Sequence, residues 1–391
     1  MIRVEVTRRG AARIASGHPW VFRSDVAGTG EAAGGEAVVV VGPRGQVLGT
    51  AHYSGASQIA LRMLSRKVAE PDLAFYRDRI GGALALRRRW YPDEEAYRVV
   101  HAEADFLPGL VVDRYGPAVA VQFLSQGMDS AGPLIRAALT DLLEPRLIVA
   151  RHDAAVRDLE KLPREKRVLD GVSEGPVTVR MNGLLWRVDL LEGQKTGVYL
   201  DQRENYMAAA RLARGAALDC FTSTGGFALH LARRCPSVEA VDSSAQALAS
   251  AQANAEANGI TNVRFREADV FTLLAAYGTA RRSFDTVVLD PPGFAKSKGS
   301  VEAALRGYRE INQRALRLLG PGGVLVTCSC SQAVSEAALI EVLGQAGADA
   351  GRPLRILERR TQGLDHPVLL GVPETLYLKC VIAQVCPLYK V

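Results

Sequence analysis

Apolar and polar residues alternate in short runs through the first 70 residues of the chain. Two such runs, "AVVVVGPRGQVLGTAHY" and "IALRML", are bounded by glycine-containing turns. Alternation with a period of two residues, broken by turn signals, is typical of β-strands that pack one face against a core. We therefore predict that residues 1–70 fold as a small β-barrel.

A mixed pattern extends from residue 72 to residue 188. It opens with the helical segment "EPDLAFYRDRIGGALALRRRWY", in which Pro71 stands near the start, where proline is tolerated. The next segment, "YRVVHAEADFLPGLVVDRYGPAVAVQF", alternates strands with turns, and a helix is expected near residues 130–143. These elements predict a small α+β domain over residues 72–188.

The pattern changes near residue 190, where short buried strands begin to alternate with helices. The strands include "AALDCF", "VEAVDSS", "FDTVVLDPPG" and "GGVLVTCSC", and helical segments such as "FALHLARR" and "AQALASAQANAEANG" lie between them. Strands that alternate with helices form a parallel sheet covered on both faces. We therefore predict an α/β fold with a doubly wound, mostly parallel sheet over residues 190–391, and ligands bind such sheets at the carboxyl ends of the strands.

The composition is typical of a globular protein, and the net charge bears on the kind of partner that the chain binds. Of the 391 residues, 48% are hydrophobic and 23% are charged, and the net charge is +6. A basic balance favours a nucleic-acid partner without establishing one. No run of about 18 apolar residues occurs, and the N-terminus lacks the apolar core of a signal peptide. We expect a cytoplasmic protein that does not enter a membrane, and a homodimer is one oligomeric state that the sequence leaves open.

Cysteines pose the main chemical question. The chain has six of them but no C-x-x-C pair, so we expect no zinc or other metal site, and a chain of this size needs no disulfides. Cys328 and Cys330 lie in "GGVLVTCSCS", at the end of a predicted strand. A thiol in this position either packs in the core or, if it is accessible and partly ionised, acts as a nucleophile.

Acidic residues follow the first three strands of the predicted parallel sheet. The segment "LDCFTSTGGF" contains Asp219 and glycines that let the backbone approach a ligand. Asp242 closes the second strand, where an acid suits two ribose hydroxyls, and Asp269 follows the third, where it would accept from an adenine amino group. Alternatively, Asp242 caps the next helix and Asp269 is a surface turn residue. Together these features indicate an adenosyl ligand, with NAD still open.

The turn "DPPGFAKSK" favours methyl transfer over NAD chemistry. Asp290 and Pro291 open a rigid strand-end turn with few backbone donors, which suits a planar base held beside a methyl donor. Lys296 and Lys298 follow, either as phosphate contacts or in a solvated loop. Attack of a thiolate on C6 of a pyrimidine makes C5 nucleophilic enough to take a methyl group from a sulfonium. Asp290 stands where a carboxyl group would assist at N3 and N4 of that base.

The motifs "DCFTSTGGF", "VD", "ADVF", "DPPGFAKSK" and "TCSCS", in this order, resemble those of a known family. It comprises the class I S-adenosylmethionine-dependent methyltransferases that modify C5 of cytosine in the 23S ribosomal RNA of the large subunit. The segments "EGQKTGVYLDQRENY" and "ALRGYREINQRAL" are also similar to that family. The segment "GHPWVFRSDV" resembles the start of its N-terminal PUA domain, an RNA-binding β-barrel. The resemblance covers nearly the whole chain.

The resemblance implies a cofactor, a partner and a set of site residues. S-adenosylmethionine would be the cofactor and 23S ribosomal RNA the partner. Cytosine-C5 RNA methyltransferases carry the nucleophile seven residues after a glycine pair, which favours Cys330 over Cys328 as the partner of Asp290 in catalysis. The implied cofactor-binding residues are Gln202, Asp219, Cys220, Phe221, Thr222, Gly225, Asp242, Ser243 and Asp269. The implied RNA-binding residues are Arg203, Pro291, Lys296 and Lys298.

One departure and several alternatives accompany this interpretation. Many RNA cytosine-C5 methyltransferases carry a second cysteine in a "PCS" turn, where this chain has Gly293, so release of a covalent adduct would need another base. Arg203 has an alternative role as an ion-pair residue at a helix start. The "DPP" turn also resembles that of enzymes that methylate exocyclic nitrogens of adenine or guanine, which need no cysteine. An RNA-binding or assembly factor without turnover is the remaining alternative.

Overall fold

The computed structural model describes residues 1–193, 196–294 and 298–387. The chain divides into two compact units, each built from more than one stretch of sequence. The first unit consists of Met1–Met181, Val188–Leu200 and Leu364–Thr375. The second unit consists of Asn182–Arg187, Asp201–Gly363 and Leu376–Val391. Within the described ranges, no helix combines the length and the apolar character needed to cross a membrane.

The first unit begins with a six-stranded sheet. Its strands are β1 (Arg3–Val6), β2 (Trp20–Phe22), β3 (Val26–Gly28), β4 (Ala37–Val41), β5 (Val47–Tyr53) and β6 (Ile59–Ser65). They pair in the order β2-β6-β5-β4-β1-β3. Val4 and Val6 of β1 are buried whereas Arg3 and Glu5 are exposed, because successive side chains of a strand point to opposite faces. Helix α1 (Arg8–Ala15) follows β1 and is capped by the side chain of Thr7.

A five-stranded sheet, its helices and one further strand follow in the first unit. The elements are α2 (Leu73–Trp90), β7 (Ala96–His101), β8 (Leu110–Tyr115), β9 (Ala118–Phe123), α3 (Gln126–Ser130), α4 (Gly132–Leu143), β10 (Leu147–Arg151), α5 (Val156–Leu159), β11 (Lys166–Gly171) and β12 (Val177–Met181). The sheet order is β11-β10-β9-β8-β7. Asp72 caps the predicted helix α2 by accepting from the backbone N–H of Phe75 at 2.9 Å, and Tyr76 and Ile80 bury its inner face.

The predicted division into a barrel over residues 1–70 and an α+β domain over residues 72–188 stays a prediction. Both regions belong to the same compact unit, which also takes in Val188–Leu200 and Leu364–Thr375. The sequence pattern had assigned almost all of these later residues to the third domain. Hydrophobic periodicity identifies strands and helices, but it does not say which distant segment joins which core.

The second unit contains a seven-stranded sheet. Its elements are β13 (Leu184–Val188, up to Arg187 in this unit), α6 (Arg203–Leu212), β14 (Ala216–Cys220), α7 (Gly226–Ala232), β15 (Ser237–Asp242), α8 (Ala245–Ala257), β16 (Val263–Glu267), α9 (Val270–Thr279), β17 (Phe284–Leu289), α10 (Val301–Arg317), β18 (Leu319–Ser329), α11 (Glu336–Ala350), β19 (Leu354–Arg360) and β20 (Lys379–Val385). The sheet order is β16-β15-β14-β17-β18-β20-β19.

The sheet is the doubly wound, mostly parallel one that the sequence predicts. Strands β14 to β18 are all parallel to one another. The order reverses at β14, which pairs with β15 on one side and β17 on the other. Such a switch point opens a crevice at the carboxyl ends of the strands. Strand β20 was not predicted, and it runs antiparallel between β18 and β19.

Candidate active site

Four side chains singled out from the sequence lie at the carboxyl edge of the parallel strands. Asp219 is the penultimate residue of β14, Asp242 ends β15, Asp290 follows β17 and Cys330 follows β18. Parallel pairing sets Cys220 of β14 level with the end of β17, so the strand ends meet at one edge of the sheet. The structure therefore gathers the predicted acids and the predicted nucleophile on the side where ligands bind in this class of fold.

Asp219 is a fully buried acid with one unused acceptor. Its Oδ2 accepts from the hydroxyl of Thr222 at 2.7 Å and from the backbone N–H of Ala228 at 2.9 Å. Its Oδ1 is buried and accepts no hydrogen bond from the described residues. Burial, together with the carboxylates of Asp290 and Asp242, raises the pKa of Asp219 to about 7. A donor or positive charge on a bound molecule would satisfy the unused oxygen.

The loop after β14 adopts a tightly wound conformation. Phe221 and Ser223 have φ angles of 64° and 49°, in the left-handed region that non-glycine residues rarely enter. Gly225 has a φ of 93° and starts α7. The backbone N–H of Thr222 donates to the carbonyl of Val241 at 2.9 Å, tying the loop to β15. Unusual backbone of this kind is often retained at binding sites, which agrees with the predicted cofactor loop.

Asp242 holds this loop from the neighbouring strand. Its Oδ2 accepts from the backbone N–H of Ser223 at 2.9 Å and its Oδ1 from that of Ser244 at 3.0 Å. The helix cap belongs to Ser244, whose hydroxyl accepts from the N–H of Ala247 at 3.2 Å. The alternative role of Asp242 as an N-cap is therefore wrong. Ser243 is exposed beside it, and contact of either residue with the cofactor stays a prediction.

Asp269 serves as a helix cap at the end of the third strand. Its Oδ1 accepts from the backbone N–H and the hydroxyl of Thr272, at 2.8 and 2.7 Å. These hydrogen bonds lower the pKa of the exposed Asp269 carboxyl. A cap needs one carboxylate oxygen, so an adenine contact through the other oxygen stays a prediction.

Asp290 is oriented by a chain of hydrogen-bonded amides. The Nε2 of Gln202 donates to Oδ2 of Asp290 at 3.0 Å, and the Nδ2 of Asn205 donates to Oε1 of Gln202 at 2.7 Å. The Nε of Arg360 donates to Oδ1 of Asn205 at 2.9 Å. Gln202 and Asn205 are buried, so they fix the direction of the Asp290 carboxyl. The link from Gln202 to Asp290 was not predicted.

The predicted RNA-binding residues differ in burial, and not all of them are among the described residues. Arg203 is fully buried at the start of α6, and its guanidinium donates to Oδ1 of Asn182 at 3.4 Å. Because the side chain is covered, the structure gives no support to an RNA contact of Arg203, which stays a prediction. Pro291 is buried in the turn after Asp290. Lys296 lies outside the described residues, and only the backbone of Lys298 is described, at the start of a short 3-10 helix.

The cysteines separate clearly by environment. Cys328 is fully buried inside β18, opposite Cys380 of β20, and burial raises its pKa well above the usual thiol value. Cys220 is equally buried, with a raised pKa. Cys330 is half-buried just beyond the strand. A Cβ built on Gly293 would lie 3.5 Å from the Cys330 sulfur, so the "DPPG" turn and this thiol meet.

Two functional groups near Cys330 escaped the sequence analysis. The hydroxyl of Tyr308 in α10 lies 3.2 Å from Oγ of Ser331. The Nζ of Lys379 donates to the carbonyl of Ser331 at 2.6 Å. The only signal for Lys379 was a lysine inside the apolar run "LYLKCVIAQV", and without the antiparallel strand β20 its position beside the thiol could not be inferred.

Comparison with known families and structures assigns both ends of the chain. Residues 4–66 match the PUA-like domain family, and residues 213–353 match a methyltransferase domain family. The crystal structure of SMU.776 complexed with SAH gives a TM-score of 0.85 at 19% identity, over 98% of this chain and 100% of that chain. Trm5b from Pyrococcus abyssi gives a TM-score of 0.51 at 14% identity, over 69% of this chain and 73% of that chain. The fold is that of a class I methyltransferase preceded by a PUA-like domain.

Relatives with assigned names span almost the whole chain. Ribosomal RNA large subunit methyltransferase I of Shewanella amazonensis is 39% identical over 377 residues, covering 94% of this chain and 95% of the relative. The protein of that name from Citrobacter koseri is 38% identical over 380 residues, covering 93% of this chain and 94% of the relative. The chain therefore belongs to the ribosomal RNA large subunit methyltransferase I family. It is an enzyme whose cofactor is S-adenosylmethionine, as the resemblance of its motifs implies.

The residues at the strand edge fit this cofactor on structural grounds. Asp219 presents a buried oxygen without a donor from the described residues, and the cofactor carries an ammonium group and a sulfonium. The loop at Phe221 and Ser223 has left-handed backbone at the edge of the sheet. Asp242 keeps that loop in place through Ser223. These residues would hold the cofactor, which supplies an electrophilic methyl group when bound.

Proposed function

We propose that this protein methylates C5 of a cytosine in 23S ribosomal RNA, with Cys330 as the nucleophile. The observation that carries the proposal is the proximity of Cys330 to the "DPPG" turn. A Cβ built on Gly293 of that turn would lie 3.5 Å from the Cys330 sulfur. The names of the relatives at 38–39% identity favour large-subunit ribosomal RNA as substrate. The PUA-like domain over residues 4–66 favours an RNA partner as well.

The proposed reaction proceeds through a covalent adduct on Cys330. Its sulfur, as the thiolate, forms a bond to C6 of the cytosine, and the electrons of the C5–C6 double bond make C5 nucleophilic. C5 then takes the methyl group. Transfer of the proton from C5 to solvent water and breakage of the bond between sulfur and C6 restore the double bond and the thiolate. Cys328 is fully buried beside Cys380 and is therefore a poor candidate for the same attack.

Asp290 is proposed to hold the base during this reaction. A carboxyl group beside the cytosine can hydrogen-bond N3 and the exocyclic amine, and it stabilises the charge that develops when sulfur adds to C6. Gln202 donates to Oδ2 of Asp290 at 3.0 Å, which fixes the direction of the carboxyl group that would bind the base. The following prolines have no backbone N–H, so the turn itself does not compete for the carboxyl group.

The product of the reaction tests the proposal. Purified protein is incubated with unmodified 23S ribosomal RNA and methyl-labelled S-adenosylmethionine, and the labelled nucleoside is identified by mass spectrometry. We expect 5-methylcytidine. An N-methylated purine would overturn the proposal and favour the alternative in which the "DPP" turn acts without a cysteine. No labelled nucleoside, with RNA binding retained, would favour the assembly factor.

Substitution of single cysteines tests the choice of nucleophile. Cys330→Ala should abolish methyl transfer, whereas the matched variant Cys328→Ala should stay active, with a loss of stability from the vacated core position. Denaturing electrophoresis of enzyme mixed with 5-fluorocytosine-containing RNA should show a covalent complex with the Cys328 variant and none with the Cys330 variant. The reverse pattern would assign the nucleophile to Cys328.

A further inference from the structure

Lys379 is a buried lysine anchored next to the proposed nucleophile. It is the first residue of β20 and pairs with Ser329, the last residue of β18. Its side chain is covered, and its Nζ donates to the carbonyls of Ser331 at 2.6 Å and Tyr377 at 2.9 Å. The first bond ties the amine to the residue that follows Cys330, and the second holds the amine against the chain just before β20. An ammonium has three donors, so one hydrogen is left after the two carbonyls.

The positive charge of Lys379 has no carboxylate partner in the part of the chain that the structure describes. Among the described residues no acid forms an ion pair with it, although a buried ammonium is costly unless a negative group compensates it. Burial lowers the pKa of Lys379 to about 8, while the charge of the Cys330 thiolate acts in the opposite direction. The neighbouring anion that can compensate Lys379 is therefore the thiolate itself.

The other titratable groups around Cys330 do not supply this charge. Tyr308, from α10, lies near Ser331, and burial raises the pKa of its phenol, so the group is neutral at physiological pH. Asp290, at the end of β17, is an acid, and a carboxylate opposes ionisation of a nearby thiol. Among the described groups that face the thiol, Lys379 is the cation.

We propose that Lys379 is a positioning residue that stabilises the thiolate of Cys330 and fixes the backbone that carries it. The proposal rests on the proposed function of Cys330 as nucleophile. The proton of the thiol goes to solvent, and Lys379 keeps its own. When sulfur bonds to C6, its negative charge passes to the base, and when that bond breaks the charge returns to sulfur beside the ammonium. Stabilisation of the Cys330 thiolate in this way does not require the second cysteine of the related "PCS" turns.

The pH dependence of alkylation at Cys330 tests the proposal without RNA or cofactor. Full-length protein is treated briefly with iodoacetamide between pH 5 and pH 10, and the modified fraction of the peptide containing Cys330 is measured by mass spectrometry. We expect a midpoint below about 8.5, the ordinary thiol value. Lys379→Met removes the charge at similar length and should raise the midpoint by about one pH unit or more. Lys379→Arg, which keeps the charge, should leave it near that of the unchanged protein.

Several results would overturn the proposal. An unchanged midpoint in a folded Lys379→Met protein would do so. If that variant does not fold, Lys379→Gln retains a donor without the charge and is measured instead. A midpoint at or above about 8.5 in the unchanged protein would refute the proposal without any variant.

The rate of methyl transfer is a second measurement, and it separates failure of the proposed function from failure of the role of Lys379. In Lys379→Met the rate should be lowered most at pH 6–7 and recover toward pH 9, since hydroxide can ionise the thiol that the ammonium no longer assists. A structural role alone would lower the rate equally at every pH. If the product proves not to be 5-methylcytidine, the proposed function fails while the alkylation result still stands. If 5-methylcytidine forms and the midpoint does not move, only the role of Lys379 fails.

Discussion

Asp219→Asn should remove the pH dependence of stability that the buried carboxyl imposes. Burial raises the pKa of Asp219 to about 7, so the folded state holds this proton more tightly than the unfolded chain. The resulting stability is fully present below about pH 4 and is lost as the pH rises toward 7. One pH unit corresponds to about 1.4 kcal/mol, so the loss between pH 5 and pH 8 is about 3 kcal/mol. Asparagine cannot ionise and should not show this loss.

The hydrogen bonds around residue 219 determine whether Asp219→Asn is more or less stable than the unchanged protein at each end of the pH range. The asparagine oxygen can still accept from Thr222 and Ala228, but its amide group then lies where Oδ1 has no donor from the described residues. An unsatisfied buried donor costs about 1–3 kcal/mol. We therefore expect the variant to be less stable at pH 5 and equal or more stable at pH 8.

Urea unfolding of both proteins at pH 5, 6, 7 and 8, without cofactor, measures this difference. Asp269→Asn is the matched control, because that exposed cap has a lowered pKa and its contribution is lost only well below pH 5. The difference in unfolding free energy between Asp219→Asn and the unchanged protein should change by about 3 kcal/mol from pH 5 to pH 8. The corresponding difference for Asp269→Asn should not change with pH. A flat difference for Asp219 would refute the reasoning, since the carboxyl would then have its ordinary affinity for protons.

Cofactor binding extends the same prediction. If the unused oxygen of Asp219 accepts from bound S-adenosylmethionine, binding favours the ionised carboxylate. The affinity of the unchanged protein should then rise between pH 6 and pH 8, and Asp219→Asn should show weaker binding with little pH dependence. Isothermal titration calorimetry measures both. Equal affinities for the two proteins at pH 8 would remove Asp219 from the cofactor contacts.

Further predictions concern packing, capping and thiol access. Gly226→Ala should cost about 1–3 kcal/mol in urea unfolding, because its Cβ would lie 2.3 Å from the ring of Tyr206. Gly344→Ala in α11, where the Cβ meets nothing within 4 Å, should instead stabilise by about 0.5–1 kcal/mol. Asp269→Ala should cost about 1 kcal/mol and Asp269→Asn much less, since asparagine also caps helices; equal losses would contradict the cap. Brief alkylation of the native protein should modify Cys330 well before the fully buried Cys328, as peptide mass spectrometry would show.

The position of the acids at one edge of a parallel sheet could be predicted, because each follows a recognisable strand. Asp219, Asp242 and Asp290 each stand at or next to the end of a short apolar run, and in a parallel sheet such ends meet at one edge. The choice between Cys328 and Cys330 agrees with burial, because the strand continues to Ser329 and encloses Cys328.

Other parts of the site depend on contacts distant in sequence and could not be predicted. Gln202 precedes the first strand of the sheet, yet it donates to Asp290. Arg203, its neighbour, turns inward and is buried, although exposed arginine is the usual expectation. Lys379 lies beside Cys330 because β20 pairs antiparallel with β18. The alternation of strands and helices along the sequence does not predict that pairing. Periodicity reports which face of an element is buried, whereas these residues depend on which elements become neighbours.

The place of β20 has a consequence for the order in which the protein can be completed during synthesis. The ribosome produces β18 and β19 before β20, yet in the finished sheet β20 lies between them. Until it arrives, the apolar run ending in Thr327 and Cys328 presents an unpaired edge, the kind of surface on which other strands can add. The nascent enzyme therefore passes through a stage in which its sheet is open at the strand that leads to Cys330. The edge of β18 can be paired as in the finished sheet only after β20 has been made.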